Sequence, residues 1–149
     1  MKREDIQEAV EEVVLDVFEN MYFMFPEVIA EDDPAPSFPE SCFKAGVAVK
    51  NTSLVLMLYG SKQLVTDMAK NFLGTAQAIA DTDLLDVFKE AANVIAGNLI
   101  TRLALDAGIG HDVPVAERLD DCSELRATQG ARQVIFNVDD EFFKVAVVS

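Results

Sequence analysis

Residues 86–98 read DVFKEAANVIAGN. A helix this apolar would serve as core throughout, except at Glu90 and Asn93. These two stand three residues apart, so an α-helix sets them side by side on one face. A carboxylate can pair with a cation or accept a proton. An amide accepts and donates hydrogen bonds at once but cannot act as a base. At about 100° per residue, with Asp86 at zero, Glu90 falls near +40°, Asn93 near −20°, Gly97 near +20° and Thr101 near +60°. The five form one narrow stripe. Phe88, Ala91, Ala92, Ile95, Leu99 and Leu103 fall on the far side and are expected to face the core.

Gly97 leaves the stripe bare one turn past Asn93. A glycine inside a helix costs roughly 1 kcal/mol against alanine, and close approach of another backbone would explain it. Internal packing would explain it as well, and exposed Glu and Asn on a helix are ordinary. Spacing alone favours the ordinary reading of exposed polar residues and internal packing. Asn98 and Arg102 turn toward the core side, where a buried amide holding a loop and an Arg102–Asp106 pair at i, i+4 would account for them.

Several chemistries are excluded by composition. The chain has 149 residues, enough for one domain over 1–149 with one full core, and half of its residues are apolar. Its only histidine is His111 and it has no tryptophan, so a His-based triad or a multi-His metal site is out of reach. No metal site is expected. Cys42 and Cys122 lie far apart without metal-ligand spacing. One disulfide between them is allowed, but two reduced thiols are the simpler expectation. The net charge of −14 argues against nucleic acid and against anionic membrane surfaces. Residues 1–40 carry twelve acids against only Lys2 and Arg3, which reads as a solvated face. No run is long and apolar enough to span a bilayer, and MKRED leads into an acid-rich segment, so no signal peptide and a cytoplasmic location are expected.

The surrounding pattern sets the elements that must position the stripe. Ile6, Val10, Val13, Val14, Val17, Phe18 and Met21 define an amphipathic helix over residues 4–24, with acidic residues filling its other side. Residues 26–40 hold four prolines and read as an extended loop. FKAGVAVK and SLVLMLYG are expected as two strands joined by a hairpin turn at Asn51-Thr52. Ser61 can cap a helix that carries Leu64, Val65, Met68, Ala69, Phe72 and Leu73 and stops at Gly74. The stripe-bearing helix is expected to start near Thr82 or Asp83 and to end at Gly108. Pro114, in DVPVAERL, marks an edge or irregular strand. QVIFNV and FFKVAVV, around Asp139, Asp140 and Glu141, form a second hairpin. About three helices and four to five mostly antiparallel strands make the fold class α+β, with long amphipathic helices packed on the sheet. No low-complexity tract and no clear internal repeat are visible.

With its flanks, DVFKEAANVIAGNL resembles the signature helix of the chemotaxis phosphatase family that contains CheC, CheX and FliY. The family pattern is Asp or Ser, three residues, Glu, two residues, Asn, then a proline some twenty-odd residues on. Asp86, Glu90 and Asn93 match it, and Pro114 follows Asn93 at twenty-one positions, slightly closer than usual. MAKNFLG before the helix, GNL within it, VFENM near the end of the first helix, and the closing hairpin are also similar. CheC-like members carry the motif on two pseudo-symmetric helices. The first helix here has no Glu-x-x-Asn, so the chain resembles the CheX-like, single-site type.

The resemblance implies a CheC/CheX-like fold and a substrate, the phospho-aspartate of a CheY-like response regulator. An acyl phosphate is already activated, so a catalyst chiefly has to place a water in line with phosphorus. Asn93 would orient that water. Glu90 would dock the partner by pairing with a lysine of its acidic active site. Asp86, Gly97, Thr101 and Pro114 would border the docking surface. The chain needs no cofactor of its own, and any Mg2+ would belong to the receiver. The resemblance also implies a homodimer, for which a free sheet edge near Pro114 would offer a pairing site. A non-catalytic module that docks a receiver or flagellar switch component is the alternative. A structural homo-oligomer, with Glu90 and Asn93 in contacts between subunits, is a third reading.

Overall fold

The computed structural model of the chain describes residues 3–29, 41–103, 110–122 and 132–148. Asp106 and Gly108, expected in an ion pair and at a helix end, lie outside these residues, as does the proline-rich stretch 30–40. Three helices, α1 (Arg3–Val17), α2 (Lys62–Leu73) and α3 (Asp81–Arg102), cover one face of a six-stranded sheet. Its strands are β1 (Glu27–Val28), β2 (Cys42–Ala48), β3 (Val55–Ser61), β4 (Val115–Leu119), β5 (Arg132–Val138) and β6 (Glu141–Val148). The order is β1-β5-β6-β3-β2-β4, and every neighbouring pair is antiparallel. The expected α+β class is observed, with β4 as an edge strand.

Both expected hairpins form. In β2–β3, Asn51 takes φ 61° at the turn. Thr52 Oγ1 donates to Val49 O at 2.9 Å and accepts from Leu54 N–H at 3.0 Å, replacing the support a glycine turn would give. In β5–β6, Asp139 and Asp140 have φ of 52° and 66°. Two successive left-handed residues match the right-handed strand twist, and Asp tolerates that conformation better than most residues. Alternation then divides the side chains. Phe43, Ala45, Val47, Leu56, Leu58, Val134, Phe136, Phe143 and Val145 face the helices and form the main core. Cys42, Tyr59 and Phe142 face the other way.

The sheet has an internal two-fold relation that was not visible in the sequence. Exchanging α1 with α3, β1 with β4, β2 with β5 and β3 with β6 reverses the strand order onto itself. Each half places its first, short strand beside the hairpin of the other: β1 on β5, and β4 on β2. β1 itself was missed because a two-residue strand beside Pro26 carries no alternation.

The first helix is shorter than its apolar stripe. It passes into a π-helical turn over Phe18–Tyr22 and ends at Phe23, which adopts φ 55°. The widened turn brings Tyr22 into the core and leaves Met21 only partly buried. In α2, Ser61 and Gly74 are the caps, as expected. Phe72 and Leu73 are not core, however: they are 51% and 55% exposed. The last turn of α2 reaches past the layer that covers Leu64, Val65, Met68 and Ala69. α3 starts at Asp81, slightly before the expected point. Ala80 precedes it without a side-chain cap, and Asp81 and Asp83 complement the positive end of the helix.

Reduced thiols are not observed either. Cys42 and Cys122 form a disulfide, with Cα atoms 6.0 Å apart. The chain must pass from β4 at one edge to β5 near the other. Cys122 fastens the start of that passage to the outer face of the sheet, beside Tyr59 and Phe142. The 80-residue separation is why sequence spacing did not indicate it.

Ser61 offers a test of how β3 and α2 are joined. Its Oγ accepts from Leu64 N–H at 3.1 Å and donates to Glu141 Oε2 at 2.7 Å. Ser61→Ala removes both bonds at a buried position and is expected to cost about 1–2 kcal/mol. Urea unfolding of wild type and variant measures the difference.

Candidate functional site

Burial of Leu84, Phe88, Ala91, Ala92, Ile95 and Leu99 on the sheet side turns the opposite face of α3 outward. Asp86 and Glu90 are exposed, and Asn93 is half-buried. An open depression lies beside them, lined by Asp86, Lys89, Glu90, Asn93, Val113 and Pro114. Four of the residues singled out in the sequence, Asp86, Glu90, Asn93 and Pro114, are therefore brought together, although Pro114 comes from a different segment. Lys89 and Val113 were missed. Lys89 lies at the rim of the helical stripe, near −60° in the same projection, and Val113 is 77% exposed.

Pro114 is held in place by backbone pairing. Val49 and His111 form a bridge, Lys50 N–H donates to Gly110 O at 3.0 Å, and Asp112 N–H donates to Ala48 O at 2.9 Å. The chain then enters β4, whose five residues pair with β2 from Val115–Gly46 to Leu119–Cys42. An ionic tie joins this strand to the start of α3. Arg118 Nη1 lies 2.5 Å from Asp81 Oδ2, and Lys62 Nζ lies 3.2 Å from Asp81 Oδ1. Hydrogen bonding from Lys62 is the chief cause that holds the Asp81 carboxyl below its usual range; desolvation opposes it, and the positive charges of Lys62 and Arg118, with a hydrogen bond from Arg118, add to the lowering.

Thr101 and Gly97 are not part of the depression. Thr101 Oγ1 donates to Gly97 O at 3.2 Å. Thr101 opens instead onto a groove with Val13, Asp16, Asn98 and Arg102, between α1 and α3. At Gly97, apart from its chain neighbours and the adjacent backbone of its own helix, the one atom among the described residues within 4 Å of an added Cβ is Nε2 of His111, at 3.9 Å. A methyl group would fit there in ordinary contact.

Asn98 and Arg102 depart from expectation. Both are exposed. Asn98 Nδ2 donates to Val94 O at 2.8 Å within its own helix. Arg102 reaches across to α1, pairing with Glu12 through Nη1 and with Asp16 Oδ2 at 3.2 Å through Nη2. The two residues lie at the rim where α1 packs on α3, a position that the wheel of one helix cannot distinguish from core.

Tyr22 lies within electrostatic reach of Glu90. It is buried, with its ring centroid 5.5 Å from Phe18 and 6.2 Å from Phe72. Burial, and after it the negative charge of Glu90, push its phenol well above the usual range, so it stays a neutral hydroxyl near that carboxylate. Among the described residues, no group of three or more His, Cys, Asp or Glu side chains could hold a metal ion, and no helix is long and apolar enough to cross a membrane.

An antiparallel sheet with helices on one face is an α+β fold seen in several solved chemotaxis proteins. A chemotaxis protein CheX from Desulfovibrio desulfuricans superposes with a TM-score of 0.68 at 15% identity, over 96% of this chain and 97% of that one. CheX from Vibrio vulnificus gives 0.70 at 13% identity, over 99% of each chain. A structure of a CheX–CheY–BeF3–Mg2+ complex from Borrelia burgdorferi gives 0.56 at 16% identity, over 97% of this chain and 95% of that one. At these identities the likeness shows a shared fold. No curated protein matches the sequence. Residues 46–136 match the family model described as chemotaxis phosphatase CheX, and the chain belongs to that family.

The Asp81 tie gives a prediction in pH. Because the carboxyl is depressed in the folded chain, its contribution to stability is present above the unfolded value, near pH 4, and is lost as the pH falls below it. Asp81→Asn lacks that contribution throughout. The difference in thermal midpoint between wild type and variant is expected to be greatest near neutral pH and to shrink as the pH is taken below that unfolded value. Thermal unfolding by circular dichroism across that range measures it.

Proposed function

We propose that the protein hydrolyses the phospho-aspartate of a CheY-like response regulator, with the activity contained in one domain over residues 1–149. The observation that carries this reading is the meeting of Glu90, Asn93 and Pro114 at one open depression on the exposed face of α3. Membership of the CheX family supports it. The fold shared with a CheX solved together with CheY, BeF3 and Mg2+ agrees with it.

In this mechanism Asn93 projects toward the receiver's acyl phosphate. Its carbonyl oxygen accepts from a water and its NH2 donates to a phosphoryl oxygen. The water attacks phosphorus in line, the bond from phosphorus to the aspartyl oxygen breaks, and aspartate leaves as a carboxylate. The leaving group is already a good one, so placing the water is the main task. Glu90 pairs with a lysine of the receiver and fixes the approach of α3. Asp86, Val113 and Pro114 border the contact, and Mg2+ is the receiver's.

Asn93→Ala is expected to keep receiver binding and to lose on the order of 100-fold in dephosphorylation rate. Decay of a radiolabelled phospho-receiver, followed with and without the protein, measures it. Full activity in this variant would refute the role of the amide. Unchanged receiver lifetime with tight binding by the wild type would favour a non-catalytic docking module instead.

Glu90→Lys is expected to weaken the complex at least tenfold by replacing attraction with repulsion, more at low salt than at high. Titration at two ionic strengths tests this. An unchanged dissociation constant with a collapsed saturating rate would make Glu90 a catalytic group.

A further inference from the structure

Resting on that reading of the site, we propose that His111 is an additional partner-contacting residue, whose Nε2 accepts a hydrogen bond from a donor on the docked receiver. The inference begins at Gly97, four residues past Asn93 and so one turn along the same face of α3. The imidazole of His111 lies over this bare position, with Nε2 3.9 Å from where a Cβ would stand. The other ring nitrogen is engaged: Nδ1 lies 2.9 Å from the carbonyl oxygen of Asp112. A carbonyl only accepts, so Nδ1 is the nitrogen that carries hydrogen. In the neutral ring this leaves the lone pair on Nε2.

The backbone around His111 is fixed from both sides. His111 bridges Val49, Gly110 O accepts from Lys50 N–H, and Asp112 N–H donates to Ala48 O. Three residues later the same strand of chain supplies Pro114 to the depression. A held ring with an open acceptor thus continues the surface formed by Glu90, Asn93 and Pro114. Among the described residues nothing bonds to Nε2, and the ring is only half-buried, so the acceptor remains available to a partner. It lies over Gly97, one turn of α3 past Asn93, which makes it a contact for docking. The bare helix at Gly97 is what admits the ring: a long side chain there would compete with it for the same space.

The test uses the full chain and a CheY-like receiver domain loaded with beryllofluoride and Mg2+. Dissociation constants are measured for wild type, His111→Ala, His111→Phe and His111→Gln, with thermal midpoints for each. His111→Ala and His111→Phe are expected to bind about three- to tenfold more weakly, the range of one hydrogen bond. His111→Gln, which keeps an acceptor at similar reach, is expected to stay within about twofold of wild type. With the phosphorylated receiver, the losses should fall in KM and leave kcat within about twofold, unlike the loss in Asn93→Ala. Wild-type affinity in His111→Phe would overturn the inference, since the ring's shape and not its lone pair would then matter. Equal weakening in His111→Gln would overturn it too. If these differences appear while the wild type fails to shorten receiver lifetime, the docking role of His111 stands and only the phosphatase reading falls. A wild type that binds no receiver overturns both.

Discussion

The ring of Phe88 rests on Gly60, and the orientation of the functional helix follows from that contact. Gly60 lies in β3 between Phe43 of β2 and Phe143 of β6. A Cβ at Gly60 would stand 3.2 Å from Cε1 of Phe88 and 3.6 Å from both its Cζ and Cγ2 of Val65. Such an approach is tighter than a packed interior tolerates without shifting a neighbour. The missing side chain makes a seat for the ring, and Ala91 and Ala92 let the helix settle close to the sheet. Glu90 is two residues beyond Phe88 and Asn93 five, so a helix seated at Phe88 turns both away from the sheet. A rotated or lifted α3 would carry the same residues but aim them elsewhere.

That seat explains only one wall of the site. The other is supplied by chain from far away, and it is held by two kinds of bond that differ in reach. Backbone pairing with β2 and its turn sets the height of Pro114 and His111 against the helix. The ionic contacts of Asp81 with Arg118 and Lys62 bind β4 and α2 to the start of α3. At the opposite end, Arg102 joins α3 to Glu12 and Asp16 of α1. The helix is thus tied by charge at its two ends and by packing along its middle. Among the described residues, no such ionic tie reaches its exposed centre, where Glu90 and Asn93 lie.

The features legible in the sequence were those with short-range physical causes. Ser61 and Gly74 delimit α2 because one bonds the first turn and the other accepts a left-handed backbone. The hairpins could be read because apolar alternation continues on both sides of Asn51 and of Asp139-Asp140. The buried side of α3 followed from its period, and so did the side bearing Glu90 and Asn93. What escaped depended on distant chain. Arg102 could not be placed without α1, Cys42 could not be paired without the passage that follows β4, and nothing near Phe18 announces a π-helical turn. His111 offered only its nearness in sequence to Pro114, and its contact with Gly97 required the fold.

The exchange of outer strands between the two halves bears on how the chain can be divided. A cut between α2 and α3 would give two pieces of similar plan, each with a long helix and a hairpin. Neither would be a complete unit, because the strand that flanks each hairpin belongs to the other piece: β4 lies on β2, and β1 on β5. The central β3–β6 pairing would be lost as well. Ancestry by duplication of one such piece would therefore call for an ancestor that worked as a pair, with edge strands traded between copies.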